Sequence, residues 1–318
     1  MPTLEALRHT LATVEELRSI VRTMKALAAV SIHQYDRAVT ALADYDRAVR
    51  QGLRVVLREQ MVEAQAQRLT LADATLEILS TADSPPAIGA VVFGSDHGLC
   101  GRFNEVLAEQ VALTLRAWPE SHRRVLAVGV RQAAALEEQG LSPQQSFYTP
   151  GAASAIQQIV RQVLPVLEQW QATGVVEILL FHNRHQGANS HTPAWVRLLP
   201  LDTGSLSHEM APPGRSLPGH AADWTALLPA LLREWLFVEL FRACAESLAS
   251  EHASRLLAMQ AAERNIADRL AELNATYRQQ RQEAITAELL DVVAGFEATM
   301  KNVFPSRRSV RSRVTATK

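Results

Sequence analysis

Cysteine is almost missing from this chain: Cys100 and Cys244 are the only two in 318 residues. Two distant cysteines build no disulfide framework and no CxxC metal or redox pair, so a reducing compartment is expected. A run of 18 apolar residues is missing too, which leaves no transmembrane helix; membrane association is expected only through partners. The first residues enter an apolar periodicity that includes Glu5, Glu15 and Glu16, so neither a signal peptide nor an acid-poor transit peptide is expected. A formal net charge of −1 lacks the basic excess that phosphate neutralisation demands, and no nucleic-acid partner is expected. Neither GxxxxGK(S/T) nor GxGxxG occurs, so no backbone cradle for nucleotide phosphates is in view and no cofactor is expected.

Glycine and proline are missing from the two ends. Of 28 such residues, 24 fall between Pro85 and Pro229, which leaves Thr3 to Gln51 and Ala230 to Ala294 nearly free of breakers. A wholly helical run of the second length would reach roughly 100 Å. A long exposed helix is marginal alone, so the two runs are expected to pair. Apolar residues recur at Leu4, Leu7, Leu11, Val14, Leu17, Val21, Met24 and Ala28, about 3.4 residues apart, the spacing of a left-handed coiled-coil seam. The last run repeats it at Ile266, Leu270, Leu273, Tyr277, Ile285, Leu289, Val292 and Phe296. Small residues on both, such as Ala26, Ala28 and Ala29 against Ala253, Ala258, Ala261 and Ala262, suit a close antiparallel approach. Residues 1–58 carry nine basic and six acidic side chains, whereas residues 230–300 carry seven and eleven. Opposite signs favour pairing, modestly because of screening.

What is present, 47% apolar residues in a chain of this length, can bury a sizeable core. The middle alternates strand and helix patterns. Strands are expected at Ile88–Phe93, Arg124–Val128, Val175–His182 and Trp195–Leu201, and helices at Phe103–Trp118, Gln132–Gln139 and Ala152–Trp170. Such alternation predicts an α/β class with a mainly parallel, Rossmann-like sheet, inserted between the terminal helices of a long antiparallel coiled coil. The expected organisation is 1–84 for the first helix and its connection, 85–229 for the α/β domain, 230–300 for the second helix, and 301–318 for a basic, disordered tail. Residues 203–223, rich in Gly and Pro, are expected to be a loop.

Two places tempt a chemical reading. The loop GSDHGLCG, Gly94 to Gly101, follows the first strand, where open α/β sheets often bind ligands. Its Asp96, His97 and Cys100 contain the residue types of a nucleophilic triad, but three such groups within five residues seldom reach triad geometry, and a tight turn with a buried thiol is the reading. His182, His185 and His191 could supply three imidazoles to zinc, yet the segment holds Gly187 and Asn189 and no nearby acid, so it reads as a solvated loop. No metal site is expected. From the residues alone, a coiled-coil scaffold or adaptor carrying an α/β domain stays open as an alternative.

Three segments resemble one known family. LRSIVRTMKALAAVSI (Leu17–Ile32), SDHGLCGRFN (Ser95–Asn104), and SEHASRLLAMQAAERN (Ser250–Asn265) followed by YRQQRQEAITAEL (Tyr277–Leu289) are similar to the gamma subunit of rotary F-type ATP synthases, the central rotor shaft. The resemblance covers nearly the whole chain to Met300. His97 stands where the family has Arg or Lys, Arg102 where it has a small residue, and Glu263–Arg264 where it has Thr-Asp, which suggests a divergent bacterial branch. The resemblance implies a non-catalytic rotor at the cytoplasmic face of the bacterial plasma membrane, with the alpha, beta and epsilon subunits and the c-ring as partners and with nucleotide sites on those partners. It further implies that Met24 and Lys25 on the first helix, and Arg255, Arg281, Gln282, Thr286 and Glu288 on the second, contact catalytic subunits.

Overall fold

The computed structural model describes residues 3–66, 87–186, 190–201 and 224–303. The 203–223 loop lies outside them, as does the expected tail from residue 304 on; residues 301–303, expected in that tail, are instead the last of the C-terminal helix. The chain divides into two compact bodies: Met1–Arg22 with Ala261–Lys318, and Thr23–Gln260.

The second body holds the sheet. Its strands are β1 (Ala87–Phe93), β2 (Arg123–Val128), β3 (Gln145–Phe147), β4 (Val175–Gln186) and β5 (Ser190–Leu199), in the order β3-β2-β1-β4-β5. The first four are mutually parallel and β5 returns antiparallel to β4. Helices α2 (Phe103–Leu115), α3 (Val130–Glu138) and α4 (Ile156–Ala172) fill the connections. Alternate side chains of one strand go to opposite cores: Ile88, Ala90 and Val92 pack with Leu107, Val111 and Leu115 of α2, while Val91 and Phe93 pack with Val160, Leu167 and Trp170 of α4 and with residues of the long helices. A sheet covered on both faces needs an unbroken apolar run, and IGAVVF supplies it. Gly89 is the position in that run with no side chain, because a Cβ there would sit 2.6 Å from the Trp170 ring.

The expected loop around His182, His185 and His191 is instead a β-hairpin. His185 and His191 are cross-strand partners, and His182 is buried near the end of the apolar part of β4. Polar residues disguised the hairpin: Ser190, His191, Thr192 and Pro193 precede the apolar stretch from which β5 was expected to begin. The short polar β3, QSF, escaped the strand pattern for the same reason.

The terminal helices are α1 (Leu4–Ala66) and α5 (Trp224–Val303). Helix α5 begins before Ala230 and contains Pro229 in its second turn, where the ring disturbs only the helix's own opening turn. In the second body the two helices run antiparallel: Tyr35 stacks on His252, Arg50 pairs with Glu239, and Tyr45 donates to Glu234 at 2.5 Å. In the first body Arg22 pairs with Glu263 at 2.9 Å, so this departure from the family's Thr has its own partner.

Burial corrects the expected seam. Along α1 of the first body the covered positions are Leu4, Leu7, Leu11, Val14, Arg18 and Val21, while Leu17 is 48% exposed. In the second body the same heptad phase continues through Lys25, Ala28, Ile32, Tyr35, Val39, Leu42, Asp46, Val49, Leu53 and Val56. The alternating steps of three and four demand Arg18 after Val14, but apolarity pointed to Leu17. On α5, Leu270 and Leu273 are buried, but Ile285, Leu289, Val292 and Phe296 are not. Counted from Arg22–Glu263, α1 reaches its start opposite the turn of Arg281, and the seam beyond has no covering helix among the described residues.

Gly129 tests the sheet's construction. It has φ +117°, and a Cβ would lie 2.7 Å from the backbone of Ser95. Gly129→Ala is expected to destabilise the sheet body by about 2 kcal/mol or more, whereas Gly140→Ala, with φ +75° and open space, costs about 1 kcal/mol. Denaturant unfolding followed by tryptophan fluorescence checks the difference; equal losses would contradict the contact.

Candidate functional site

Between Trp235 and Arg255, α5 is covered on almost every side. Ala243, Ala245, Ala249 and Ala253 keep its surface low, so the helix backbone approaches the carboxyl ends of the strands. Three hydroxyls on this stretch, in serines spaced i, i+3 and i+7, face those ends. Ser247 Oγ donates to the Phe93 carbonyl at 3.0 Å, Ser250 Oγ to the Asn183 carbonyl at 3.0 Å, and Ser254 Oγ to the Cys100 carbonyl at 2.6 Å. The crevice in which an open α/β sheet would hold a ligand is therefore occupied by the chain's own helix.

The loop Gly94–Gly101 is shaped by the same contacts. Asp96 accepts hydrogen bonds from the Val130 amide at 2.8 Å and from the Thr149 amide and hydroxyl at 2.8 and 2.7 Å, tying the loop to the starts of two neighbouring segments. Ser95 is fixed by Asn104, whose Oδ1 accepts its amide at 3.0 Å. The Cys100 thiol meets the His97 backbone carbonyl at 3.6 Å. Burial pushes that thiol upward, against a smaller opposing effect of its Ser95 contact, so it stays protonated. Asp96 is an anchor rather than an orienter, and these groups form no triad. Leu99, at φ +64° and 60% exposed, projects from the loop.

Behind the loop, α5 presents Glu251, His252 and Arg255. Arg255 and Glu251 pair at 2.6 Å, both buried, and Arg255 also reaches the Gly98 carbonyl at 3.4 Å. Burial raises Glu251 above the usual carboxylate range despite the Arg255 charge. His252 stacks on Tyr35 with centroids 5.6 Å apart, and its Nδ1 lies 3.2 Å from an Arg255 nitrogen. Arginine can only donate, so Nδ1 accepts and the ring is neutral. Burial, then the Arg255 charge, pushes His252 down to about 4. Burial and nearby acidic groups raise Tyr35 to about 12, and its hydroxyl contacts the Pro150 carbonyl at 3.5 Å.

His182 finds an acid that sequence distance concealed: its Nε2 is 2.9 Å from Glu246 of α5, and Arg184 joins the same oxygen at 3.0 Å. Burial would raise Glu246, but these two partners outweigh it and hold its carboxyl low. A cavity of about 350 Å³ beside them is lined by Arg50, Arg184, Arg197 and Arg242. Asp46, Glu177, Glu239 and Glu246 pair with these four cations, so the cavity offers an anion no unbalanced charge.

The residues singled out from the sequence fall into both bodies. Met24 and Lys25 are half-buried on α1 and Arg255 is buried, all in the second body. Arg281, Gln282, Thr286 and Glu288 are exposed within about two turns of α5 in the first, where the Thr286 hydroxyl bonds back to the Gln282 carbonyl. The serine ladder, Tyr35 and the Glu246 pair were missed. An S-x-x-S-x-x-x-S spacing inside an Ala-rich helix was the available signal for the ladder.

His252 gives this site a pH dependence. Its folded value lies below the unfolded 6.5, so between the two the unfolded chain binds the extra proton, and the contribution is lost as pH falls from about 6.5 through 4. His252→Phe, which keeps a ring against Tyr35, is expected to flatten the fall of stability across that window by about 2 kcal/mol. Thermal melting from pH 4 to 7 checks it; parallel curves for both proteins would contradict it.

Comparisons with known proteins agree with this geometry. The family model described as ATP synthase matches residues 3–299. The ATP synthase gamma chain of Anaeromyxobacter dehalogenans is 30% identical over 210 residues, 65% of this chain and 72% of that one. The gamma chain of Nitrosomonas europaea is 26% identical over 229 residues, 69% and 77% of the two chains. A chain in the structure of the Euglena gracilis mitochondrial ATP synthase, OSCP, F1 and c-ring, superimposes with a TM-score of 0.61 at 18% identity, covering 99% of each chain. One from the central stalk and c-ring of the Tetrahymena thermophila enzyme gives 0.54 at 20%, covering 76% of this chain and 99% of that one. The chain belongs to the ATP synthase gamma-chain family.

Proposed function

We propose that this chain couples ion-driven rotation at the membrane to conformational change in catalytic alpha and beta subunits, with the nucleotide sites on those subunits. The observation that supports it is the uncovered end of α5. Ile285, Leu289, Leu290, Val292, Val293, Phe296 and Met300 are 45–70% exposed. A helix that keeps so many large apolar side chains in water is built to be surrounded by other chains. Arg281, Gln282, Thr286 and Glu288 lie along the near part of this segment, where a guanidinium can fork onto a carboxylate and Glu288 can accept. Met24 and Lys25 are proposed as further contacts, and Arg255 as one that acts through the loop whose Gly98 it holds. Each catalytic subunit meeting a different face of an asymmetric helix has its binding equilibrium biased differently, which is the coupling.

The epsilon subunit and c-ring are proposed as the partners at the sheet body; the Tetrahymena and Euglena structures are of complexes that include a c-ring. The proposed place is the cytoplasmic face of a bacterial plasma membrane, held there by partners. Among the described residues no helix is long and apolar enough to cross a membrane.

Arg281→Ala with Gln282→Ala is expected to lower ion pumping by the assembled complex about tenfold, the worth of one charge-assisted contact, and to leave the isolated protein's melting unchanged. Unchanged pumping and hydrolysis would show that these side chains are merely solvated. Truncation after Glu283 is expected to abolish coupling at constant melting temperature, because the apolar side chains it removes are already exposed. Removal of residues 305–318 is expected to be neutral. A complex indifferent to the longer cut would place the coupling element elsewhere.

A further inference from the structure

We propose that the hydroxyl ladder of Ser247, Ser250 and Ser254 is the torque joint of this rotor, the element that keeps the sheet from slipping around α5 under load. The proposal rests on the rotor reading above and adds to it a place where the force passes within the chain. The three serines hold three separate anchors: the end of β1 at Phe93, β4 at Asn183 and the Gly94–Gly101 loop at Cys100. Arg255 closes the ladder at one end by reaching Gly98 of the same loop.

Their chemistry suits shear rather than adhesion. Apolar contact is non-directional, so it resists separation of two surfaces but opposes sliding weakly. A hydrogen bond weakens steeply when its angle is lost, so a row of them resists sideways displacement of the sheet, around the helix as well as along it. Ala243, Ala245, Ala249 and Ala253 bring the surfaces close enough for a one-carbon arm to reach, but give sliding little obstruction of their own.

The behaviour of other helical hydroxyls sharpens the contrast. Thr10, Thr40, Thr276, Thr286 and Thr299 each bond back to the carbonyl four residues earlier in their own helix. That is the ordinary fate of a hydroxyl on a helix. The three serines instead donate to carbonyls 154, 67 and 154 positions away in sequence, all buried. Alanine would form the helix better at each place, so local helix preference does not explain them.

The test uses the complete complex reconstituted in sealed vesicles, with the variant Ser247→Ala, Ser250→Ala, Ser254→Ala. Ions pumped per ATP hydrolysed are measured with no opposing ion gradient and then against increasing ones. The expected ratio is near that of the unaltered complex at zero gradient and about fivefold lower against a steep one, the low end of ordinary coupling between sites. Ser254→Thr in place of Ser254→Ala restores a hydroxyl and is expected to recover part of the loss. A ratio that matches the unaltered complex at every gradient overturns the joint. A ratio lowered by one constant factor at all gradients, together with a lower melting temperature, also overturns it, because simple destabilisation does not depend on load. If the triple variant does not assemble, the three single variants are scored in the same way, and load-independence in all three overturns the proposal. A complex that fails to pump with the unaltered chain defeats the rotor reading instead.

Discussion

One stretch of α5, from Trp235 to Arg255, has to satisfy α1, α4 and the carboxyl ends of the sheet together, and the second body is organised around that demand. Trp235, Leu236, Val238 and Leu240 join the core that contains Leu53 of α1, Val160 and Leu167 of α4, and Val91 and Leu180 of the sheet. Further along, alanine and serine replace large side chains, because there the strand ends themselves come into contact. A helix that fills the usual ligand crevice makes the fold a mount for the helix. The loop that would carry catalytic groups in an enzyme carries anchors here, with Asp96 fully engaged by two amides and a hydroxyl.

Charged residues inside the helix pair set its alignment. Asp46 takes a heptad position that an apolar residue would normally fill, and pairs with both Arg50 and Arg242, while Glu239 pairs with the same two arginines. Burial raises Glu239 even against both arginine charges, so the group is strongly desolvated. Such a cluster adds little net stability over apolar packing, but loss of one member strands another charge. Polar groups at core heptad positions are a known means of specifying register. In this chain they fix which turn of α1 meets which turn of α5, and so where the serines fall against the strand ends.

The long helices were legible because breakers are concentrated between Pro85 and Pro229, and β1, β2 and β4 because each carries a buried apolar run, which in β1 and β2 stops at a glycine. Four features were hidden for identifiable reasons. Arg18 and Lys25 hold heptad positions that apolarity assigned to Leu17 and Met24, since a long cationic side chain can cover a seam with its methylenes. The hairpin of β4 and β5 begins in polar residues, and only pairing reveals it. The partners of His182 and Asp96 come from 64 and up to 53 positions away, beyond any local pattern. The exposed far end of α5 was read as a continued internal seam because periodicity records that a face will be covered, without recording by which chain.

Rotation itself is the central claim, and Tyr148 offers a handle on it. It is 74% exposed at the loop after β3, while Cys100 and Cys244 are both buried, so Tyr148→Cys places one accessible thiol among the described residues of the chain. A bead fixed there, with the catalytic subunits held on a surface, is predicted to turn stepwise in one direction while ATP is hydrolysed and to stop when ATP is removed. A bead that only fluctuates about a fixed orientation during undiminished hydrolysis would contradict the account.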